Sequence, residues 1–255
     1  MKATILTIGN EILKGRTVNT NLAHIGRVLT YAGYEVFRAM VVMDTPDDIS
    51  WGIRSALSFS DFIVTTGGLG PTFDDMTVES ISMALGIDLE VNSKAFEALE
   101  KRYRERDLDF TEARLKMTRL PKGADAILNP VGSAPGVILR HEGKTILMLP
   151  GVPGEMEALL DIVLDRIRVP GRSYYEETVT LRGIMESSLA PLIIREMKAG
   201  NGKIYIKSHP GLSETGDRVL EVEISSADSS ETLAKENVKR AMENIRRDFR
   251  SYIGK

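Results

Sequence analysis

Short apolar runs alternate with helix-patterned stretches through the first 170 residues, and this alternation limits the fold more than any other feature of the chain. ATILTI (3–8) reads as a buried strand. A helix follows from about Thr20 to Ala32, with Leu22, Ile25, Val28 and Leu29 at helical spacing and Gly33 placed as a C-cap. EVFRAMVV (35–42) is the next strand, Pro46 opens a helix with Ile49, Ile53, Ala56 and Leu57 inward, and DFIVTT (61–66) is the third strand. A short helix is expected over 75–85, one or two peripheral helices over 92–118, strands over 126–132, 136–141 and 145–150 with the middle pair antiparallel, and a closing helix over 153–168. Strands alternating with helices imply right-handed crossovers, so the fold class is α/β, a mostly parallel sheet with helices on both faces.

Pro170-Gly171 marks a domain boundary. Beyond it the pattern becomes strand (174–182), helix (187–198), strand (203–208), strand (218–225) and helix (229–250), a small α+β domain over 171–255. A core of that size is near the lower limit for independence, so a homo-oligomer is expected.

Composition excludes several functions. There is no cysteine, hence no disulfide, thiolate metal site or thiol nucleophile. No apolar run approaches the roughly 20 residues that span a bilayer, and the first residues are too short an apolar stretch for a signal peptide, so a cytoplasmic protein without membrane contact is expected. The net charge of −3 gives no basic footprint for nucleic acid. The locally basic stretches 101–107 and 239–250 carry opposite charges three or four residues apart, the pattern of solvated helix faces. His24, His141 and His209 are not spaced as a metal triad, and Trp51 reads as a core residue.

Three loops stand out, each just after a strand, where ligands bind in open α/β sheets. In GNEILKGRTVNTN, Gly9, Asn10 and Glu11 end the first strand while Asn19, Thr20 and Asn21 begin the next helix. Asn and Thr side chains there can bond sugar or phosphate oxygens, or simply cap the helix. In TTGGLGPTFDD, Thr66 leads into Gly67, Gly68, Leu69, Gly70, Pro71 and Thr72, a backbone that can turn sharply against a phosphate. Asp74 and Asp75 follow, and paired carboxylates beside an anion call for a hard divalent ion; the alternative is that Asp74 caps the helix. The loop is neither a GK[ST] P-loop nor a GxGxxG fingerprint. In LPGVPGEM, Pro150, Gly151, Val152 and Pro153 form a compact turn, and Glu155 opens the following helix, where a carboxylate is favoured even without a ligand.

GNEIL with VNTN, TTGGLGPTFDD, NPVGSAPG (129–136) and LPGVPGEM together resemble the CinA family, whose N-terminal domain groups with the molybdopterin-binding MoaB, MogA and MoeA proteins. The resemblance covers about residues 1–168, and the segment after Pro170 is similar to the KH-like domain of CinA proteins, although 174–250 holds no GXXG. It implies metal-dependent hydrolysis of ADP-ribose to AMP and ribose 5-phosphate, with Asp75, Asp74 and Glu155 catalytic, Asp75 and Asp74 on the metal, and the three loops on the substrate. The expected ion is Mg²⁺, Mn²⁺ or Co²⁺, with a monovalent cation as a further candidate. The alternative it implies is a non-catalytic molybdopterin or nucleotide binder. The chain ends at Lys255 without the C-terminal amidase domain of CinA proteins, so a separate amidase partner is a further expectation.

Overall fold

The computed structural model describes residues 1–212, 216 and 218–252. The chain divides into two compact units, residues 1–30 with 34–168, and residues 31–33 with 169–255.

In the first unit the chain runs β1 (Lys2–Ile8), α1 (Asn10–Leu13), α2 (Thr20–Tyr31), β2 (Glu35–Val42), α3 (Pro46–Phe59), β3 (Phe62–Thr66), α4 (Thr77–Leu85), β4 (Leu89–Val91) and α5 (Ser93–Arg104). It continues through α6 (Glu112–Lys116), β5 (Arg119–Pro121), β6 (Asp125–Ile127), β7 (Gly136–His141), β8 (Lys144–Leu149) and α7 (Pro153–Ile167). Six strands form one sheet in the order β2-β1-β3-β8-β7-β6. The first four are mutually parallel, while β7 and β6 add antiparallel. The unit is therefore an α/β fold with a mostly parallel sheet.

The central strands β1 and β3 are buried on both faces, so they read as continuous apolar runs rather than alternating ones, while the edge strand β2 is largely exposed. Leu6, Ile8, Ile63, Ile146 and Met148 face one cluster with Ile49 and Ile53 of α3, Ile81 of α4 and Leu99 of α5. Each such side chain contributes about 1.5–3 kcal/mol by leaving water. The alternate residues meet the other layer, with Ile5 near Gly26 of α2 and Gly136 near Leu159 of α7. Helix α3 begins where Thr45 accepts a hydrogen bond from the Asp48 amide and Pro46 supplies a preset φ.

Several expectations need correction. The span 92–118 is not peripheral, because Ala95, Leu99 and Met117 belong to the core. Its charged residues hid the few apolar ones that face inward. The strand expected over 126–132 stops at Ile127, and Asn129 instead organises a turn with its side chain. The helix expected from residue 75 starts at Thr77, and its N-cap is Met76 rather than Asp74. The short helix α1 and the β4–β5 ribbon were not foreseen. Trp51 is 60% exposed and is not a core residue.

The second unit runs β9 (Ser173–Arg182), α8 (Glu186–Ala199), β10 (Ile204–Leu212), β11 (Arg218–Asp228) and α9 (Glu231–Asp248). Its antiparallel sheet has the order β10-β11-β9. Alternate residues Val179, Leu181, Leu220, Val222, Ile224, Ile204 and Ile206 form one apolar face, covered by Leu189 and Leu192 of α8 and Val238 and Ile245 of α9. The intervening Thr180, Glu221 and Lys207 are exposed, the alternation expected of a sheet covered on one side.

Candidate functional site

Register brings the ends of four strands into one row. Val41 of β2, Thr7 of β1, Thr66 of β3 and Leu149 of β8 are successive neighbours across the sheet. The loops that leave these strands must then meet beyond the carboxyl edge. Between β1 and β3 the chain order reverses direction across the sheet, where a crevice forms. A cleft of about 640 Å³ opens there, bordered by all three loops singled out in the sequence.

The glycine loop is held by its carbonyls and by the Gly67 amide, which donates to the Leu149 oxygen at 3.0 Å, and the three amides that follow are left free among the described residues. Gly67 has φ +109° and lies so close to β1 that a Cβ would stand 2.1 Å from the Ile8 carbonyl oxygen. Gly68 has φ +69°, and its absent Cβ leaves room for Thr77. Thr77 Oγ1 donates to the Gly67 oxygen at 2.8 Å, and the Thr77 amide donates to the Gly68 oxygen at 3.1 Å. Lys116 Nζ donates to the Thr72 and Asp75 oxygens at 2.9 and 2.5 Å. The amides of Gly68, Leu69 and Gly70 donate to no group among the described residues, and all three residues line the cleft.

Asp75 Oδ2 accepts from the Thr72 amide at 2.9 Å and from Thr72 Oγ1 at 2.5 Å, while Asp74 Oδ1 also meets Thr72 Oγ1. A hydroxyl has one proton, so it serves one carboxylate at a time. The Thr72 hydroxyl beside Asp74, with its backbone hydrogen bond, holds the Asp74 carboxyl below the usual carboxylate range. Asp74 and Asp75 are the carboxylates beside the glycine loop that could hold a cation, of the one or two that Mg²⁺ commonly takes from protein. No group of three His, Cys, Asp or Glu able to hold a metal exists among the described residues.

On the opposite wall, Asn19 accepts from the Leu22 amide at 3.1 Å, so it caps α2. Asn21 Nδ2 donates to Thr66 Oγ1 and to the Gly151 oxygen, both at 2.9 Å, and Thr66 Oγ1 donates to the Pro150 oxygen at 2.9 Å. This one amide group ties the helix start to the ends of β3 and β8. Glu155 Oε2 accepts from Asn129 Nδ2 at 2.6 Å. Its carboxylate fills the space that a Cβ on Gly132 would take, 2.1 Å away. Arg102 and Tyr103 of α5 reach the same loop, donating to the Asn129 oxygen at 2.5 Å and hydrogen-bonding Ser133 Oγ at 2.8 Å.

Of the residues singled out in the sequence, Asp74, Asp75, Glu155, Gly9, Glu11, Asn19 and Asn21 line the cleft, as do Thr66 through Pro71 and Pro150 through Pro153. Two do not. Asn10 turns into α1, where its carbonyl accepts from the Lys14 amide, and Thr72 is an exposed residue outside the lining whose hydroxyl meets both aspartates. Sequence reasoning missed Asp44 and Tyr103, and it quoted the 132–134 loop within NPVGSAPG without assigning it to the site. Asp44 follows β2 at the same carboxyl edge, so the rule that selected the other loops was sufficient to find it. Its Oδ1 is buried without a partner among the described residues. Nothing in the local pattern of α5 marked Tyr103.

The model of the family described as "Probable molybdopterin binding domain" matches residues 4–169. The chain belongs to that family. It is 54% identical over 245 residues to a protein of Caldivirga maquilingensis, covering 96% of this chain and 95% of that one. To Protein Ta0487 of Thermoplasma acidophilum it is 48% identical over 240 residues, covering 94% and 93%. Among solved structures, the protein CinA of unknown function from Thermoplasma acidophilum superposes with a TM-score of 0.62 and 53% identity, covering 65% of this chain and 97% of that one. The first unit is thus a CinA-like member of the molybdopterin-binding family. Among the described residues no helix is long and apolar enough to cross a membrane.

Proposed function

We propose that the first unit binds a phosphorylated small molecule of the molybdopterin or nucleotide class, with its phosphate on the Gly68–Gly70 amides. The observation that carries this is the run of three amides, in the wall of the cleft, that have no partner among the described residues. Backbone N–H groups bind phosphate oxygens without needing charge, and the exposed edge of the sheet leaves the site open to a ligand of this size. Asp74 and Asp75 are read as the donors of a divalent ion that accompanies the phosphate. Calorimetry with inorganic pyrophosphate, AMP and a pterin phosphate in the presence of Mg²⁺ tests the proposal. Binding of pyrophosphate that is weakened by Gly70→Ala, whose Cβ would stand 2.5 Å from Asp75 Oδ2, supports it; no heat with any of the three overturns it.

A second reading is hydrolysis of the ADP-ribose pyrophosphate. The observation in its favour is Glu155, whose Oε1 has no partner among the described residues while Oε2 is fixed by Asn129. Asp75 and Asp74 would hold a divalent ion, which would supply charge neutralisation and lower the pKa of a bound water. Glu155 takes a proton from the water as its oxygen joins one phosphorus. The P–O–P bridge breaks, leaving AMP and ribose 5-phosphate. If wild type and Asp75→Ala release AMP from ADP-ribose at the same background rate, hydrolysis is excluded while ligand binding is untouched.

For the second unit, the β–α–β–β–α order supports the KH-like reading that the CinA resemblance implies. Without a GXXG clamp, retention of single-stranded RNA is expected to be absent at any salt concentration.

A further inference from the structure

The glycine loop is a partition between two hollows. Gly68, Leu69, Gly70 and Asp75 border the large cleft, and they also border a second cavity of about 10 Å³, room for about one water. Lys116 and Glu79 border the second cavity but not the cleft. The lysine therefore meets the loop from the side away from the cleft.

Its ammonium is placed as a bound cation would be. Nζ donates to the Thr72 oxygen at 2.9 Å and the Asp75 oxygen at 2.5 Å, with Glu79 Oε1 3.7 Å away. An ammonium is a compact charge with three donors, suited to two carbonyls and a carboxylate. The turn it grips has no other hydrogen-bonded anchor. The Asp75 amide donates to the Thr72 oxygen at 3.3 Å and the Thr72 amide to Asp75 Oδ2 at 2.9 Å. Those bonds set the shape of the turn but not where it stands. Among the described residues, Lys116 is the only group outside 71–75 that hydrogen-bonds to the turn.

The lysine also has an electrostatic reach. No Lys, Arg or His borders the cleft, and the Lys116 charge is one of the causes that lower the Asp74 carboxyl. Removing that charge has two opposed consequences. Less positive charge beside Asp74 would favour a divalent ion, whereas a released turn would disfavour it. The sign of the change tells the two roles apart.

We infer that Lys116 is the positioning residue of the site, a cation built into the chain that holds the 72–75 turn so that Asp74 and Asp75 stand beside the Gly68–Gly70 amides before a ligand arrives. This rests on the proposed phosphate site and adds how that site is kept ready. A site already in its binding geometry avoids the cost of ordering on association.

Two measurements on wild type and Lys116→Met test it. In hydrogen exchange without Mg²⁺ or ligand, the Thr72 and Asp75 amides are expected to exchange about tenfold faster in the variant. In calorimetry with Mg²⁺, the variant is expected to bind pyrophosphate about tenfold more weakly. A lysine that only stabilised the fold would lower Tm and leave the affinity of the folded protein unchanged. Equal binding therefore overturns the inference alone, and tighter binding overturns it by assigning Lys116 to repulsion of the ion. Unchanged exchange in the variant overturns it as well. Failure of wild type to bind pyrophosphate removes the phosphate site, and with it the role of Lys116 there. Should Lys116→Met not fold, wild-type exchange decides. Thr72 and Asp75 amides at least tenfold slower than in an unstructured peptide support the inference, and faster exchange overturns it.

Discussion

The two units treat polar groups differently. In the second, partially buried ionisable groups are closed into networks: Asp228 is held by Lys203, the Ser229 amide and Asn237, and Glu196 by Arg195 and Asn244. In the first, Asn21 Oδ1, Asp44 Oδ1, His24 Nε2, Thr65 Oγ1 and Ser82 Oγ are all buried without partners. No such atom occurs in the second unit among the described residues. An unpaired buried group costs about 1–3 kcal/mol, so a fold keeps several in one unit only where something offsets the cost. Asn21 and Asp44 are residues of the cleft lining, while His24, Thr65 and Ser82 are not.

The same contrast exists within the cleft wall. Asn129 is as buried as Asn21, yet it donates to Ala134 O and Glu155 Oε2 and accepts from the Val131 and Gly132 amides. It is a structural asparagine, complete without a ligand. Asn21 keeps one buried oxygen without a partner among the described residues.

The largest effect is expected at Gly67. Gly67→Ala sets a methyl group against the Ile8 carbonyl at a left-handed φ, and a loss of about 2–4 kcal/mol should appear in urea melts. A loss under 0.5 kcal/mol would show that the loop relaxes and that its amides are not fixed. Next is Asn129→Ala, expected to cost about 1–3 kcal/mol whether or not pyrophosphate is present. Asn21→Ala should instead lower the stabilisation that AMP gives to wild type, read as a smaller rise in Tm with AMP. If the two variants respond alike, the distinction between them fails.

Acid sharpens the comparison of the units. The Lys203 ammonium, with the Ser229 amide, holds the Asp228 carboxyl down to about 2, against an ordinary value of 3.8. A depressed carboxylate contributes stability that is present above 3.8 and lost as pH falls toward about 2. The Tm difference between wild type and Asp228→Asn should therefore be constant at neutral pH and close between those values. A difference unchanged at pH 2 removes the ion pair as its cause. The smallest effect is expected for Trp51→Ala, within about 0.5 kcal/mol, since that ring is mostly in water.

Much of the first unit was legible because its signals are local. Strand runs such as 62–66 and the helix opening at Pro46 carry their periodicity and caps within a few residues. Helix α5 was misjudged because its inward face is reduced to Ala95 and Leu99 among charged neighbours. Tyr103 reached the cleft with no local mark at all.

The amino-acid order determined which loops follow which strands, and thereby that Gly67–Asp75, Asn19–Asn21 and Pro150–Glu155 meet at one edge of a parallel sheet. Tertiary structure decided what each group does there. Asn21 finds its two acceptors 45 and 130 positions away, and Glu155 finds its amide donor 26 positions away. Periodicity and capping act over a few residues, while the satisfaction of buried polar atoms depends on partners that only the folded chain brings within 3 Å. Which oxygen is left over is a property of that closure.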